Sequence, residues 1–284
     1  MQYVILSDSA EEQLRRLRSE REQRYQQARL AYQRDLNAYD EHLSALATAY
    51  GPAFRRLRIF RGARTWWEHR RLRKQGDPQP PEPEGPTLEE QKWQAGMEGE
   101  QRLRAELTSE LPGSGWTLMK GYQNRRGEID YLLIAPVGMM AFKCEHVAGT
   151  IICTKDRWVR QKYDRAGAPV TQVPIVDRHG KSPSQRVNES ADHLMEFLSQ
   201  KGAAPVISKA VILTQSDVRL STVEAPTVEI IMLKDVLRML WNVCRSVARS
   251  LDTERIVELV KEHHQQWHAH ESAAPPSSQK VSRQ

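Results

Sequence analysis

Met139-Met140-Ala141-Phe142-Lys143-Cys144-Glu145-His146 is the stretch that decides the reading of this chain. It is short, apolar and aromatic, as a buried strand is, and alternate side chains of a strand share a face. Met140, Phe142 and Cys144 therefore point one way, and Ala141, Lys143 and Glu145 the other. Unpaired charge on so apolar a strand is costly, so Lys143 and Glu145 require partners. Upstream, Gly127-Glu128-Ile129-Asp130 opens a second apolar strand with an acid at its start. An acid, a lysine and a second acid on neighbouring strands are the inventory of a metal-dependent phosphodiester-cleaving site. Carboxylates there hold a divalent cation, and an ammonium stabilises charge on the attacked phosphate.

Outward from these strands the pattern is mixed. Residues 88–111 read as a helix with the apolar stripe Trp93, Met97, Leu103, Leu107 and Leu111, and Glu100 lies on that stripe. Strands are expected at 116–122, 129–135, 139–147, 150–153 and 157–162, with turns at Pro136-Val137-Gly138 and Ala148-Gly149. Ser182-Pro183-Ser184-Gln185 then opens a helix, with serine as its cap, proline first and glutamine three residues after the cap. Two further strands, at 206–213 and 228–233, precede helices at 234–248 and 252–267. This order predicts an α/β fold with a central mixed sheet flanked by helices.

The N-terminal third differs. Residues 10–50 lack glycine and proline, and Tyr25, Tyr32, Tyr39 and Leu46 recur every seven residues beside Leu36, Leu43 and Tyr50. This is the seam of one long helix, suited to a coiled coil, a hairpin or self-association, and Gly51-Pro52 is expected to end it. Residues 53–74 then carry Arg55, Arg56, Arg58, Arg61, Arg64, Arg70, Arg71, Arg73 and Lys74 against one acid, Glu68, in a chain of net charge +6. With Trp66 and Trp67 interleaved, this stretch suits phosphate contact and base stacking, so nucleic acid, DNA first, is the expected partner. A basic face packed as a hairpin or drawn to anionic lipid fits the same residues. The expected division is a helical arm over 1–75, a proline-rich linker over 76–87, a core over 88–268 and a disordered tail over 269–284.

No apolar run of 18 residues exists, which excludes a spanning helix, and the first residues lack the pattern of a signal peptide, so the expected compartment is the cytoplasm. Three cysteines fit no zinc or redox spacing. A hairpin at Ala148-Gly149 would set Cys144 opposite Cys153, as a pair of reduced thiols or, in an oxidising compartment, a bridge.

Gly96-Met97-Glu98-Gly99-Glu100, then Gly127-Glu128-Ile129-Asp130, then Gly138 leading into the charged strand closed by Gly149, then Ser182-Pro183-Ser184-Gln185, together resemble the nuclease-related domain, NERD, over roughly residues 93–233. That family is placed in the restriction-endonuclease-like PD-(D/E)XK superfamily. The resemblance implies a restriction-endonuclease-like sheet and a nuclease using Mg²⁺ or Mn²⁺. Asp130 would be the first metal-binding acid, Glu145 and Glu100 further ligands, Lys143 the charge stabiliser and Gln185 a polar residue of the later helix. The departure is in the third motif, where the family's glutamate-any-lysine is replaced by the reversed Lys143-Cys144-Glu145.

Each residue also has a plainer reading. Glu100 could be neutralised by Arg104 or Arg126. Gln185 is explained by capping alone, Asp130 by strand initiation, and Lys143 with Glu145 by a same-face salt bridge in a decayed site. His263, His264, His268 and His270 read as a solvated, frayed helix end. The alternative function is accordingly a catalytically inactive nucleic-acid-binding or scaffolding module.

Overall fold

The computed structural model describes residues 1–55, 70, 78–111, 113–164, 166–245 and 251–273. Arg56, Arg58, Arg61, Arg64, Trp66, Trp67, Arg71 and Arg73 of the expected basic helix lie outside these residues, as does the side chain of Arg55; Arg70 is described and exposed. The described chain forms two compact units, one of Met1–Glu12 with Lys92–Gln284 and one of Gln13–Gln91.

In the larger unit a six-stranded sheet runs in the order β1 (Gln2–Ile5), β2 (Thr117–Asn124), β3 (Gly127–Ala135), β4 (Gly138–Glu145), β8 (Ile207–Leu213) and β10 (Glu229–Met232). β2, β3 and β4 form an antiparallel meander, and β1 joins β2, β8 joins β4 and β10 joins β8 in parallel. A second sheet holds β7 (Pro169–Pro174), β6 (Arg157–Tyr163), β5 (Thr150–Thr154) and β9 (Arg219–Glu224) in that order. On one face of the first sheet, Leu103 and Leu107 of α2 (Leu88–Glu110), Leu111 just after it and Leu240 of α4 (Val236–Arg245) pack against Leu118, Leu133, Met140 and Phe142. On the other, Val187, Ala191 and Leu194 of α3 (Pro183–Gln200) and Ile256 and Val260 of α5 (Thr253–Ala273) cover Met119, Leu132, Ile134 and Ala141. Each such buried aliphatic side chain contributes about 1.5–3 kcal/mol, so β4, sandwiched on both faces and paired on both edges, is among the most fixed parts of the molecule. The expected mixed α/β architecture is the one observed.

Three boundaries differ from expectation. The N-terminal residues are not arm: β1 is the edge strand of the main sheet, and the turn after it is tied to β2. Ser7 Oγ donates to Gly121 O at 2.7 Å, and a Cβ on Gly121, which has φ +70°, would stand 2.1 Å from Ser7 O. Only glycine permits that approach. Second, β5 does not fold back on β4. Both edges of β4 are already taken by β3 and β8, so β5 leaves for the second sheet, and Cys144 and Cys153 are separate free thiols. Third, α5 reaches Ala273, and residues 274–284 lie outside the described residues.

The helix α1 (Ser9–Arg55) begins at the Asp8 cap, belongs to the smaller unit from Gln13 on, and runs through Gly51-Pro52 instead of ending there. The cost of one glycine and one missing hydrogen bond is set against a long, cooperatively formed helix. Tyr25, Tyr32, Leu36, Tyr39 and Leu43 are half-buried while their helical neighbours are mostly exposed. The proline-rich segment is a strap, held by Arg21 Nη1 donating to Glu84 O at 2.9 Å and by Arg24 pairing with the Glu84 carboxylate at 3.3 Å.

Candidate functional site

β3 and β4 pair as far as Tyr131 opposite Phe142 and then part. Asp130 stands at the parting, buried, and its carboxylate substitutes for the missing backbone partner: Oδ2 accepts the Cys144 amide at 2.6 Å, while Oδ1 accepts Lys143 Nζ. Lys143 is itself buried, so each charge is compensated by the other in a setting where neither has access to bulk water.

The remaining candidates are also paired. Glu145 continues the Ala141 and Lys143 face of β4 and binds the Arg186 guanidinium of α3, which displaces the expected Lys143–Glu145 salt bridge. Arg186 is placed by the capping box that starts α3: Ser182 N donates to Gln185 Oε1 at 2.9 Å and Gln185 N to Ser182 Oγ at 3.3 Å. The glutamine side chain is thereby used in the cap, and the residue after it reaches the strand. Glu100, on α2, faces Lys120 of β2 at 3.6 Å instead of Arg104 or Arg126, and Lys120 Nζ is bound more closely by Asp8 at 2.7 Å. Gly99 brings α2 near the end of β8, since a Cβ there would stand 2.4 Å from Thr214 Oγ1, whereas Gly96 has nothing within 4 Å. Glu128 accepts from Ser9 Oγ at 2.9 Å.

The fields differ among the acids. Burial, then the neighbouring charge of Asp130, raises Glu100 from 4.5 to about 8, because Lys120 is committed mainly to Asp8. Burial likewise raises Glu128 and, against the pull of Arg186, Glu145. Burial opposes the charge of Lys143, but Asp130 and Glu128 outweigh it and its pKa is raised. The Cys144 thiol is pushed well above its usual range by burial and by Asp130, so it is no nucleophile at neutral pH.

Glu100 gives a pH prediction. Its folded-state pKa is raised, so the folded chain holds a proton that the unfolded chain releases, and stability falls as pH rises from about 4.5 through about 8. Glu100→Gln should remove that part of the slope, gaining on the order of 4 kcal/mol at pH 8.5 relative to its value at pH 5. Urea unfolding of native and variant chains at both pH values measures this, and parallel pH profiles would refute it.

Sequence reading missed Lys120, Arg186, Asp8 and the two histidines of α5. His263 and His264 are buried rather than frayed, with His263 Nδ1 2.6 Å from Tyr122 OH and the Gln123 amide donating to His264 Nδ1 at 3.1 Å. The signal was present, since Ile256, Val260, His263 and His264 lie on one helical stripe.

The family model of the nuclease-related domain matches residues 95–214, a segment that contains every one of these acids and cations except Asp8. Residues 95–214 are thus similar to a nuclease-related domain, the family that the motifs resemble. Among solved structures, Pyrococcus furiosus SfsA in complex with Ca²⁺ shares 16% identity over 45% of this chain and 45% of that one, with a TM-score of 0.22, a likeness too remote to bear on the site. The chain thus spans less than half the length of that protein. No curated protein matches it.

A nuclease-related domain carries the expectation of a divalent cation, and the side chains here do not fit one. Asp130, Glu145 and Glu100 each face a lysine or arginine already, and among the described residues no group of three or more His, Cys, Asp or Glu side chains is placed to hold a metal ion. No helix of the described residues is long and apolar enough to cross a membrane.

Proposed function

We propose that this chain is a nuclease-related protein that binds nucleic acid, DNA foremost, and cleaves it weakly or not at all with Mg²⁺ or Mn²⁺. One observation carries the reading: Lys143 Nζ occupies the Asp130 carboxylate from a buried position. With Asp130 so engaged, its carboxylate is not free to hold a cation or to take a proton from water. The ammonium, held by that same carboxylate, is not free to meet the charge of an attacked phosphate. What the domain retains is a rigid sheet end rimmed by Arg186 and by the exposed Arg125 and Arg126 of the β2–β3 turn. The arginines of residues 55–73 and the tryptophans at 66 and 67 would supply further phosphate and base contacts.

Two assays test this. Cleavage of linear and supercoiled DNA with Mg²⁺ or Mn²⁺ should be at background for the native chain. It should appear in Lys143→Glu with Glu145→Lys, provided Arg186→Gln is added so that the new lysine does not face an arginine. Robust native cleavage abolished by Asp130→Ala would overturn the reading. For binding, changing Arg55, Arg58, Arg61 and Arg64 to Gln should flatten the salt dependence of DNA affinity, by about 0.9 in log–log slope for each phosphate no longer neutralised. An unchanged slope would remove that stretch from the interface.

A further inference from the structure

A cleft of about 430 Å³ opens where α3, α5 and the tip of the β2–β3 hairpin meet, away from the acids of β3 and β4. Its wall is built around three rings in a row. His263 lies between His193, with centroids 5.1 Å apart and planes at 16°, and Phe197, at 4.0 Å and 2°. Lys201 Nζ sits 5.4 Å from the Phe197 ring, while the His193 end of the row borders the cleft, as does the half-buried indole of Trp267. His193 Nδ1 is turned inward and buried, with no hydrogen-bond partner among the described residues, so the ring meets the cleft through its other atoms. Burial lowers the pKa of both histidines, with Arg125 adding to the effect, so at neutral pH these rings are uncharged stacking and hydrogen-bonding surfaces.

The charges on the rim are few and of both signs. Arg125, at the hairpin tip, is exposed and makes no ion pair among the described residues. Glu196 stands on α3 and is also exposed. One cation and one carboxylate beside an aromatic wall match a molecule that carries a flat heteroaromatic ring, vicinal hydroxyls and a single phosphate. The ring stacks on the imidazole and indole, the carboxylate accepts from the hydroxyls, and the guanidinium takes the phosphate as a paired acceptor. Lone inorganic phosphate would leave the wall unused, and a continuous duplex offers no unstacked base to fill it. The volume falls in the range of small-ligand sites, about 300–1,000 Å³. Along α3 the cleft begins seven residues beyond Arg186, about 10 Å, so it is a separate place from the paired acids.

We propose that this cleft is a binding site for a ribonucleoside monophosphate. Its occupancy does not depend on whether the nuclease-related acids cleave anything.

The test titrates the full chain by calorimetry with AMP, adenosine and inorganic phosphate. Saturable one-to-one AMP binding is expected, with adenosine weaker by about tenfold and phosphate alone not binding. Arg125→Ala, at an exposed position, should reduce AMP affinity toward that of adenosine and leave adenosine binding unchanged. Trp267→Ala, with its unfolding transition checked, should weaken both. Absence of saturable AMP binding at millimolar concentration, phosphate binding equal to AMP, or AMP affinity indifferent to both substitutions would each overturn the proposal.

Discussion

Lys143→Met should destabilise the folded chain by about 3–5 kcal/mol, because it leaves the buried Asp130 carboxylate without its counter-charge while Oδ2 keeps only the Cys144 amide. Methionine preserves most of the stem volume, so the loss reports the charge rather than a cavity. Lys143→Glu should behave differently. A new carboxylate beside Asp130, with Glu128 already contributing negative charge there, would repel in the presence of a chelator, and millimolar Ca²⁺ or Mn²⁺ should recover part of the stability by binding only the folded form. Denaturant unfolding of the native chain and both variants, with and without the cation, separates the effects. A native chain whose stability rises with Ca²⁺ or Mn²⁺, and loses that response in Asp130→Asn, would show that the lysine yields its place to the metal.

A chain starting at Thr87 should fail to give the cooperative transition of the full protein. It would lack β1, and so the parallel pairing of Gln2–Ile5 with Thr117–Lys120, and would leave the buried Lys120 without Asp8. It would also lack the Ser9 hydroxyl on Glu128 and the Ser7 hydrogen bond to Gly121. Losing the nearer of its two acids costs the buried Lys120 about 1.5–3 kcal/mol, and a stripped edge strand adds to it, against a typical total stability of about 5–15 kcal/mol. Asp8→Ala in the full-length chain isolates the first contribution. A sharp transition near the native temperature for the shortened chain would mean that the first strand is dispensable and that the core begins where the proline-rich strap ends.

Much of the fold was legible because it rests on local periodicity. The alternation in 139–145 marked a strand with Lys143 and Glu145 on one face, the stripe through Leu103, Leu107 and Leu111 marked a helix on the sheet, and Ser182 to Gln185 marked a helix start that the structure forms as a capping box. β1 was not legible in the same way. Four residues carry too little pattern, and their partner, Thr117–Lys120, lies more than a hundred positions away.

The residue types of the candidate site were likewise written in the chain: a lysine and acids at the ends of two adjacent strands must find opposite charges if they are buried. Which charges they find is a matter of distance in three dimensions. The sequence offered Lys143 with Glu145 and Glu100 with Arg104 or Arg126. Folding instead joined Lys143 to Asp130, Glu145 to Arg186 and Lys120 to Asp8 and Glu100. Side chains two apart on a strand share a face but stand about 6.6 Å apart along it, whereas the crossing of a neighbouring strand or helix brings a distant residue into contact. The sequence by itself determined that these charges would have to be compensated. Only the tertiary structure decided that the compensation comes from the protein's own lysines and arginines, because desolvation makes each buried charge seek the nearest opposite one, however far away it is in the chain.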